Sequence, residues 1–346
     1  AMRLCMVSLL LIQGARMGAN AFASPSVLLR PALAGAATSR RSLSTSAGPL
    51  GVKASTAAPS QGESPAAEQL LDAERFVVFN RFNTRGGGAP AAFEKRWATR
   101  KSSLAKMEGF RFFSLLRRVD KVGGVDKVYE EGTPDYMSMT VWQDKECFGK
   151  WRKGPAFKDA HGGGTVMGVL DAVWGVITEL QKMPATSGWD GLIPMSVPSK
   201  DSKIELGERS DIGMPVADGE ALLGAECFVA MNRMTVAAGN GPMLEQHWKE
   251  RETTLSQNDG FVGFTFMRKT GDGKKGKKAL PDDVYDYSTM TVWASKAHFE
   301  AWRAKHFAEK DKKPAGAEGG FGKYLEGKPS AIYWEGTQVL QMEGGM

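Results

Sequence analysis

Cysteine is scarce in this 346-residue chain: there are three, Cys5, Cys147 and Cys227. One lies near the start and the other two occupy unrelated points of the body, so they form neither a disulfide framework nor a metal cluster, and a reducing compartment suits them. Acidic residues are absent before Glu63, whereas Arg3, Arg16, Arg30, Arg40, Arg41 and Lys53 all lie there. Setting those six aside leaves 39 Lys and Arg against 39 Asp and Glu, so the formal charge of +6 belongs to the leader. A neutral body argues against a nucleic-acid partner. No strand-Gly-x-Gly-x-x-Gly fingerprint is present, so no NAD or flavin motif is read. Long apolar runs are missing too: Leu4 to Ile12 is too short to span a bilayer and suits a signal-peptide core, so no membrane attachment is expected after processing.

Residues 1–62 read as a targeting presequence, a signal peptide followed by a Ser-, Ala- and Arg-rich transit-like tract. The join Ala19-Asn20-Ala21-Phe22-Ala23-Ser24-Pro25 resembles the cleavage motif of bipartite presequences for secondary plastids, with Ser24 intervening before the proline. A plastid is the expected location, and a mitochondrial or secretory leader is the alternative. Residues 63–74 read as a flexible lead-in.

What is present in abundance is repetition. Asn80-Arg81 returns as Asn232-Arg233, Trp97 as Trp248, Gly109-Phe110 as Gly260-Phe261, Met139-Thr140-Val141-Trp142 as Met290-Thr291-Val292-Trp293, and Phe148 and Trp151 as Phe299 and Trp302, each shifted by 151 or 152 positions. A period this long denotes two whole domains rather than a solenoid. The first copy reads as a strand Arg75 to Phe82, a helix Ala91 to Met107, strands Phe110 to Val119 and Tyr136 to Trp142, a helix Lys145 to Lys153 and a final strand Asp171 to Met183. The second reads Cys227 to Val236, Met243 to Gln257, Phe261 to Lys269, Tyr287 to Ala294, Lys296 to about Lys310 and Ser330 to Met342.

This order is the α+β plan of two ferredoxin-like βαββαβ modules, at 75–183 and 222–346, with 184–221 as linker. Each sheet needs cover on its second face, and its twin supplies it at high effective concentration, which predicts a pseudo-dimer within one chain. The stretch Lys269 to Asp283, with Lys274, Lys275, Lys277 and Lys278, reads as a solvated hairpin tip.

Asn80-Arg81-Phe82, Phe93-Glu94-Lys95-Arg96-Trp97, Gly109-Phe110, Thr140-Val141-Trp142, Phe148, Trp151 and Phe157-Lys158-Asp159-Ala160-His161 resemble an antibiotic biosynthesis monooxygenase domain, and within that superfamily the IsdG-type haem-degrading monooxygenases. The resemblance implies a dimeric α+β barrel binding haem between sheet and helix. It also implies a site of strand Asn, helix Trp and a His ten positions after the Trp, here Asn80, Trp151 and His161. The second copy keeps Asn232 and Trp302, but the position of the histidine holds Asp311 once a one-residue gap is allowed. His306, four residues after Trp302, would lie one turn along the same helix face and does not inherit the role.

By the resemblance, His161 ligates the haem iron and is the only metal ligand expected. Trp151 distorts the porphyrin, and Asn80 donates its amide to oxygen bound there. Haem is then both substrate and cofactor, consumed with dioxygen and an external reductant delivered by a separate electron donor. Gly154 and Pro155 predict a helix break between Trp151 and His161, with no counterpart in the second copy. Trp97, Trp142, Trp248 and Trp293 read as core, and Arg81 and Arg233 as salt-bridge or surface residues. Two other readings stay open: a cofactor-independent monooxygenase acting on a quinol or other aromatic substrate, and a non-catalytic haem-binding or stress module.

Overall fold

The computed structural model describes residues 69–346 apart from 101, 161–165, 271–283 and 311–319; the side chains of 166–169, 171, 172, 307, 309 and 310 are likewise outside the description. The expected presequence, most of the Lys-rich tip, His161 and Asp311 therefore lie outside the described residues. No helix among those described is long and apolar enough to cross a membrane.

The first module runs β1 (Arg75–Phe82), α1 (Ala89–Ala98), β2 (Phe110–Arg118), a small hairpin of β3 (Lys121–Val122) and β4 (Val125–Asp126), β5 (Tyr136–Trp142), α2 (Lys145–Lys153), α3 (Pro155–Ala160), α4 (Val166–Glu179) and β6 (Ala185–Ser196). The second runs β7 (Cys227–Met234), α5 (Gly241–Glu250), β8 (Phe261–Lys269), β9 (Tyr287–Trp293), α6 (Lys296–Lys310) and β10 (Ser330–Gln341). The eight long strands close into one antiparallel barrel in the order β1-β5-β2-β10-β7-β9-β8-β6. Closure is by exchange: β6 pairs with β1 and with β8 of the other module, and β10 pairs with β7 and β2. The expected α+β pseudo-dimer is what the chain forms. Alternation along β1 sends Val77, Phe79 and Arg81 into the barrel and Phe76, Val78, Asn80 and Phe82 out towards the helices, so each module has an outer core beside the shared inner one.

One strand was misplaced by sequence. The run read as a strand at Asp171 to Met183 falls largely in the helix α4, and the last strand of the module is β6, inside the segment 184–221 read as linker. A continuous apolar run does not reveal its period, and Gly188, Gly191 and Pro194 disguise β6 as a loop. Pro194 is tolerated because β6 bulges there: its register with β8 shifts between Leu192 and Met195, and Ile193 takes φ 51°. The twin bulge in β10 has Gln338 at φ 57°. The repeat that marks β6 was Trp189-Asp190-Gly191 against Trp334-Glu335-Gly336. The helices read as Ala91 to Met107 and Met243 to Gln257 are shorter, each ending before a separate 3-10 turn at Leu104–Lys106 or Leu255–Gln257.

At each of the two seams between modules lies a buried carboxylate. Glu94 on α1 is fully buried and accepts hydrogen bonds from Arg117 Nη1 (2.8 Å), the Tyr136 hydroxyl (2.7 Å) and the Leu223 amide (2.6 Å). Arg117 Nη2 also reaches Glu335 on β10 of the other module at 2.8 Å. The second seam repeats this with Glu245, Arg268, Tyr287, the Leu71 amide and Asp190 on β6. The end of the lead-in is therefore tied down at Leu71. Burial works against the Arg117 charge, but Glu335 and Glu94 outweigh it and its pKa is raised; burial and then Glu94 push the Tyr136 hydroxyl up.

Helix α2 starts at Asp144, in extended conformation, whose carboxylate accepts the Cys147 amide at 2.7 Å. That bond is the main reason the Asp144 pKa lies below 3.8.

Removing one partner of a buried ion pair strands the other, so Glu94→Ala should lower unfolding free energy by about 3–5 kcal/mol in urea titration, and Glu245→Ala should match it. Loss under about 1 kcal/mol would show that the seams contribute little. Asp144→Ala should cost about 1 kcal/mol at neutral pH. Because the native pKa is depressed, that contribution is complete above the ordinary carboxyl value and fades as pH falls through the lowered one; wild type and variant should converge in unfolding curves taken below pH 3.8.

Candidate functional site

The site expected in module 1 lies on the helix-covered face of β1, β5 and β6. Asn80 stands in cross-strand register with Ser138 and Thr186, which puts three polar side chains in one row of an otherwise apolar face. Thr186 Oγ1 donates to Asn80 Oδ1 at 2.6 Å, and Asn80 Nδ2 donates to Ser138 Oγ at 3.1 Å. Hydroxyls on both sides hold the plane of the amide, leaving one of its N–H groups for a ligand. The counterpart Asn232 reaches Thr289 at 3.4 Å, and the position of Thr186 is occupied by Ala331. Sequence reading missed Thr186 because it lies in the strand taken for linker.

Trp151, on α2, sits on the same side of the sheet. Its ring packs 5.4 Å from Trp142, 5.8 Å from Phe148 and edge-on at 4.9 Å from Phe157 of α3. Trp142, against which Trp151 packs, is paired with Phe76, four residues along β1 from Asn80, or roughly 13 Å of strand. Trp302 repeats the packing, 5.2 Å from Trp293 and 5.8 Å from Phe299. The modules differ beyond this point. Gly154 ends α2 and Pro155 opens α3, whereas α6 continues unbroken and carries His306 stacked on Trp302 at 5.4 Å. The break and its absence are both as the sequence led one to expect.

His161 and Asp311 lie outside the described residues, but the backbone leading to His161 is held. Arg100 Nε donates to the carbonyl of Ala160 at 2.9 Å, and its guanidinium lies 4.3 Å from the Trp97 ring centroid. Burial, with help from the charge of Arg96, brings the Arg100 pKa down to about 10. Arg251, its twin, rests over Trp248 at 4.9 Å. Arg96 meanwhile clamps Glu179 of α4 with Nε at 3.0 Å and Nη2 at 2.8 Å, crossing the helix where Gly175 leaves room for it. The equivalent pair in module 2 is His247 against Tyr324, ring to ring at 5.9 Å.

The surface reading of Arg81 and Arg233 is corrected by the structure: both are buried and line the inside of the barrel, on the opposite face of the sheet from Asn80 and Asn232. Trp142 and Trp293 are fully buried core, as expected. Cys147 and Cys227 are free thiols, and no metal-holding group of His, Cys, Asp and Glu occurs among the described residues.

The antibiotic biosynthesis monooxygenase family profile matches twice, at residues 75–163 and 227–309. A mycobilin-producing haem oxygenase of Mycobacterium tuberculosis is 32% identical over 74 residues, 21% of this chain and 60% of that protein. A haem-degrading monooxygenase of Bacillus thuringiensis is 35% identical over 75 residues, 18% of this chain and 67% of that protein. Deoxynogalonate monooxygenase of Streptomyces nogalater is 31% identical over 87 residues, 25% of this chain and 63% of that protein. The chain thus spans about 60% of the length of the mycobacterial relative. With its domain found in both halves and its barrel built from the two together, the chain belongs to the antibiotic biosynthesis monooxygenase family.

Proposed function

We propose that module 1 degrades haem oxidatively, opening the ring and releasing iron, and that module 2 completes the barrel without a competent site. The observation that carries this reading is the amide of Asn80, held in plane between Thr186 and Ser138 on the same sheet face as Trp151, where module 2 has Ala331 in place of Thr186. The two haem-degrading relatives support the same substrate. The residues present suit a flat tetrapyrrole: an aromatic ring at Trp151 and a polar donor at Asn80 on one sheet face, with a histidine next in sequence after the pinned Ala160.

Haem, when bound, supplies the iron at which dioxygen is activated. His161 would hold that iron by a neutral imidazole nitrogen. Trp151, wedged among Trp142, Phe148 and Phe157, would present a ring that yields little and so bend the porphyrin rather than move itself. Asn80 would donate its remaining N–H towards the reacting oxygen, with its amide plane already held between Thr186 and Ser138. Arg100 would keep the histidine's backbone in place. Electrons come from an external reductant. The deoxynogalonate relative favours a second reading, in which an organic substrate is oxygenated on this face without haem. The presequence supports a plastid location.

Haem titration of the chain should shift the Soret band, and His161→Ala should abolish the shift. Ascorbate in air should then bleach the band while a chelator traps ferrous iron. An unshifted band in the wild type removes the haem reading, and a stable band under ascorbate leaves a haem binder. Thr186→Val should keep haem binding but slow bleaching by about tenfold, the worth of one oriented hydrogen bond, with Thr186→Ser restoring it. Bleaching at the wild-type rate in Thr186→Val would deny Thr186 any positioning role.

A further inference from the structure

Between its second main helix and its last strand, module 1 has the helix α4, whereas the described part of the same stretch in module 2 is a short 3-10 turn at Phe321–Tyr324. The aromatic residues of that turn face inwards: Phe321 packs 5.4 Å from Trp248 and Tyr324 5.9 Å from His247. In α4 the large residues face outwards instead. Its inner side is anchored, with Gly175 and Glu179 buried against Arg96 and Val176 packed on the outer core of module 1. On the other side Leu170, Trp174 and Ile177, spaced four and three residues apart and therefore in one row, are 49, 65 and 57% exposed. Single exposed apolar side chains are ordinary, but three large ones in a row on a helix whose opposite side is fixed mark a contact surface.

No exposed side chain described on α4 is charged. Thr178, the one polar residue among them, returns its hydroxyl to the Trp174 carbonyl at 2.8 Å, so its polar group is satisfied within the helix. The Trp174 indole makes no hydrogen bond or ring contact among the described residues. Cations stand at the C-terminal end. Arg85 and Lys182 are exposed there: Arg85 Nε donates to the Ile177 carbonyl at 3.1 Å, and the Gln181 amide next to Lys182 donates to the Asn83 carbonyl at 2.8 Å. Neither cation meets a carboxylate among the described residues.

The width of the row decides what covers it. Three side chains on one helix present far less than the ~800 Å² that each partner of a stable dimer buries. A bilayer needs neither that area nor a matching shape. An apolar helix face with a free indole N–H and cations at one end suits the boundary between headgroups and acyl chains, where the ring enters the apolar layer, its N–H meets headgroup oxygens and the cations meet anionic lipid. With 14 residues, about 21 Å, α4 lies on such a surface rather than crossing it.

We infer that α4 docks module 1 peripherally on a membrane surface bearing anionic lipid, with Leu170, Trp174 and Ile177 entering the headgroup boundary and Arg85 and Lys182 at the headgroups. A helix lying on the surface needs no membrane-spanning run, so the lack of one among the described helices is compatible with this. The inference is independent of the haem reading, because none of these side chains belongs to that site.

The test is quenching of tryptophan fluorescence in the full chain by vesicles of equal parts phosphatidylcholine and phosphatidylglycerol whose acyl chains carry bromine close to the headgroup. Residues 1–62 hold no tryptophan, so the signal reports the body and not the leader. Wild type should be quenched, and Trp174→Phe, which keeps an apolar ring, should lose the quenching. Ile177→Ser should raise the lipid concentration for half-quenching about tenfold, and Arg85→Gln combined with Lys182→Gln should erase the preference over phosphatidylcholine alone. Thermal unfolding at the wild-type temperature shows that these surface variants are folded. Wild type left unquenched or indifferent to phosphatidylglycerol, quenching that persists in Trp174→Phe, a half-quenching point unmoved in Ile177→Ser, or a dimer in light scattering that Ile177→Ser dissolves would each overturn the assignment.

Discussion

A fully buried carboxylate at each seam organises the barrel. Glu94 and Glu245 sit where a charge is expensive, and each is matched by an arginine from its own module, a tyrosine hydroxyl and a backbone amide from the segment that leads into the other module. The same arginines reach across to Glu335 and Asp190 on the exchanged strands. Strand exchange, lead-in path and helix placement are thereby coupled: none can shift without stranding a charge in the interior. Fusion of the modules makes these contacts intramolecular, so the partner is always present.

That rigid frame is what allows the two halves to differ. The seams are alike on both sides, and so is the ring packing around Trp151 and Trp302. The divergence that bears on the expected site lies on the outer faces. Module 1 keeps Thr186 beside Asn80, a helix break after Trp151 and Arg100 on the Ala160 carbonyl; module 2 has Ala331, a continuous α6 and His306 stacked on Trp302. In the proposed reading the first half holds the ligand site, while both halves contribute strands to the wall.

The repeat, the module order, the aromatic core and the break at Gly154-Pro155 were legible because each rests on local spacing or on residues that recur. β6 was not, since its glycines and proline mimic a loop and its partner β8 lies in the other module. Thr186 was lost with it. The buried glutamates were visible as a repeated residue, but their meaning depends on Leu223, Leu71, Glu335 and Asp190, which only the exchanged topology brings near. Arg81 and Arg233 were adjacent to the repeated asparagines in sequence, yet a strand sends neighbours to opposite faces, and they line the inside of the barrel.

The central claim is asymmetry: one competent haem site in a chain with two similar domains. Native mass spectrometry of the haem-loaded chain measures it directly. The account predicts a single haem per chain, lost in His161→Ala and retained in Trp302→Ala. Two haems per chain, or one that survives His161→Ala and disappears in Trp302→Ala, would contradict it.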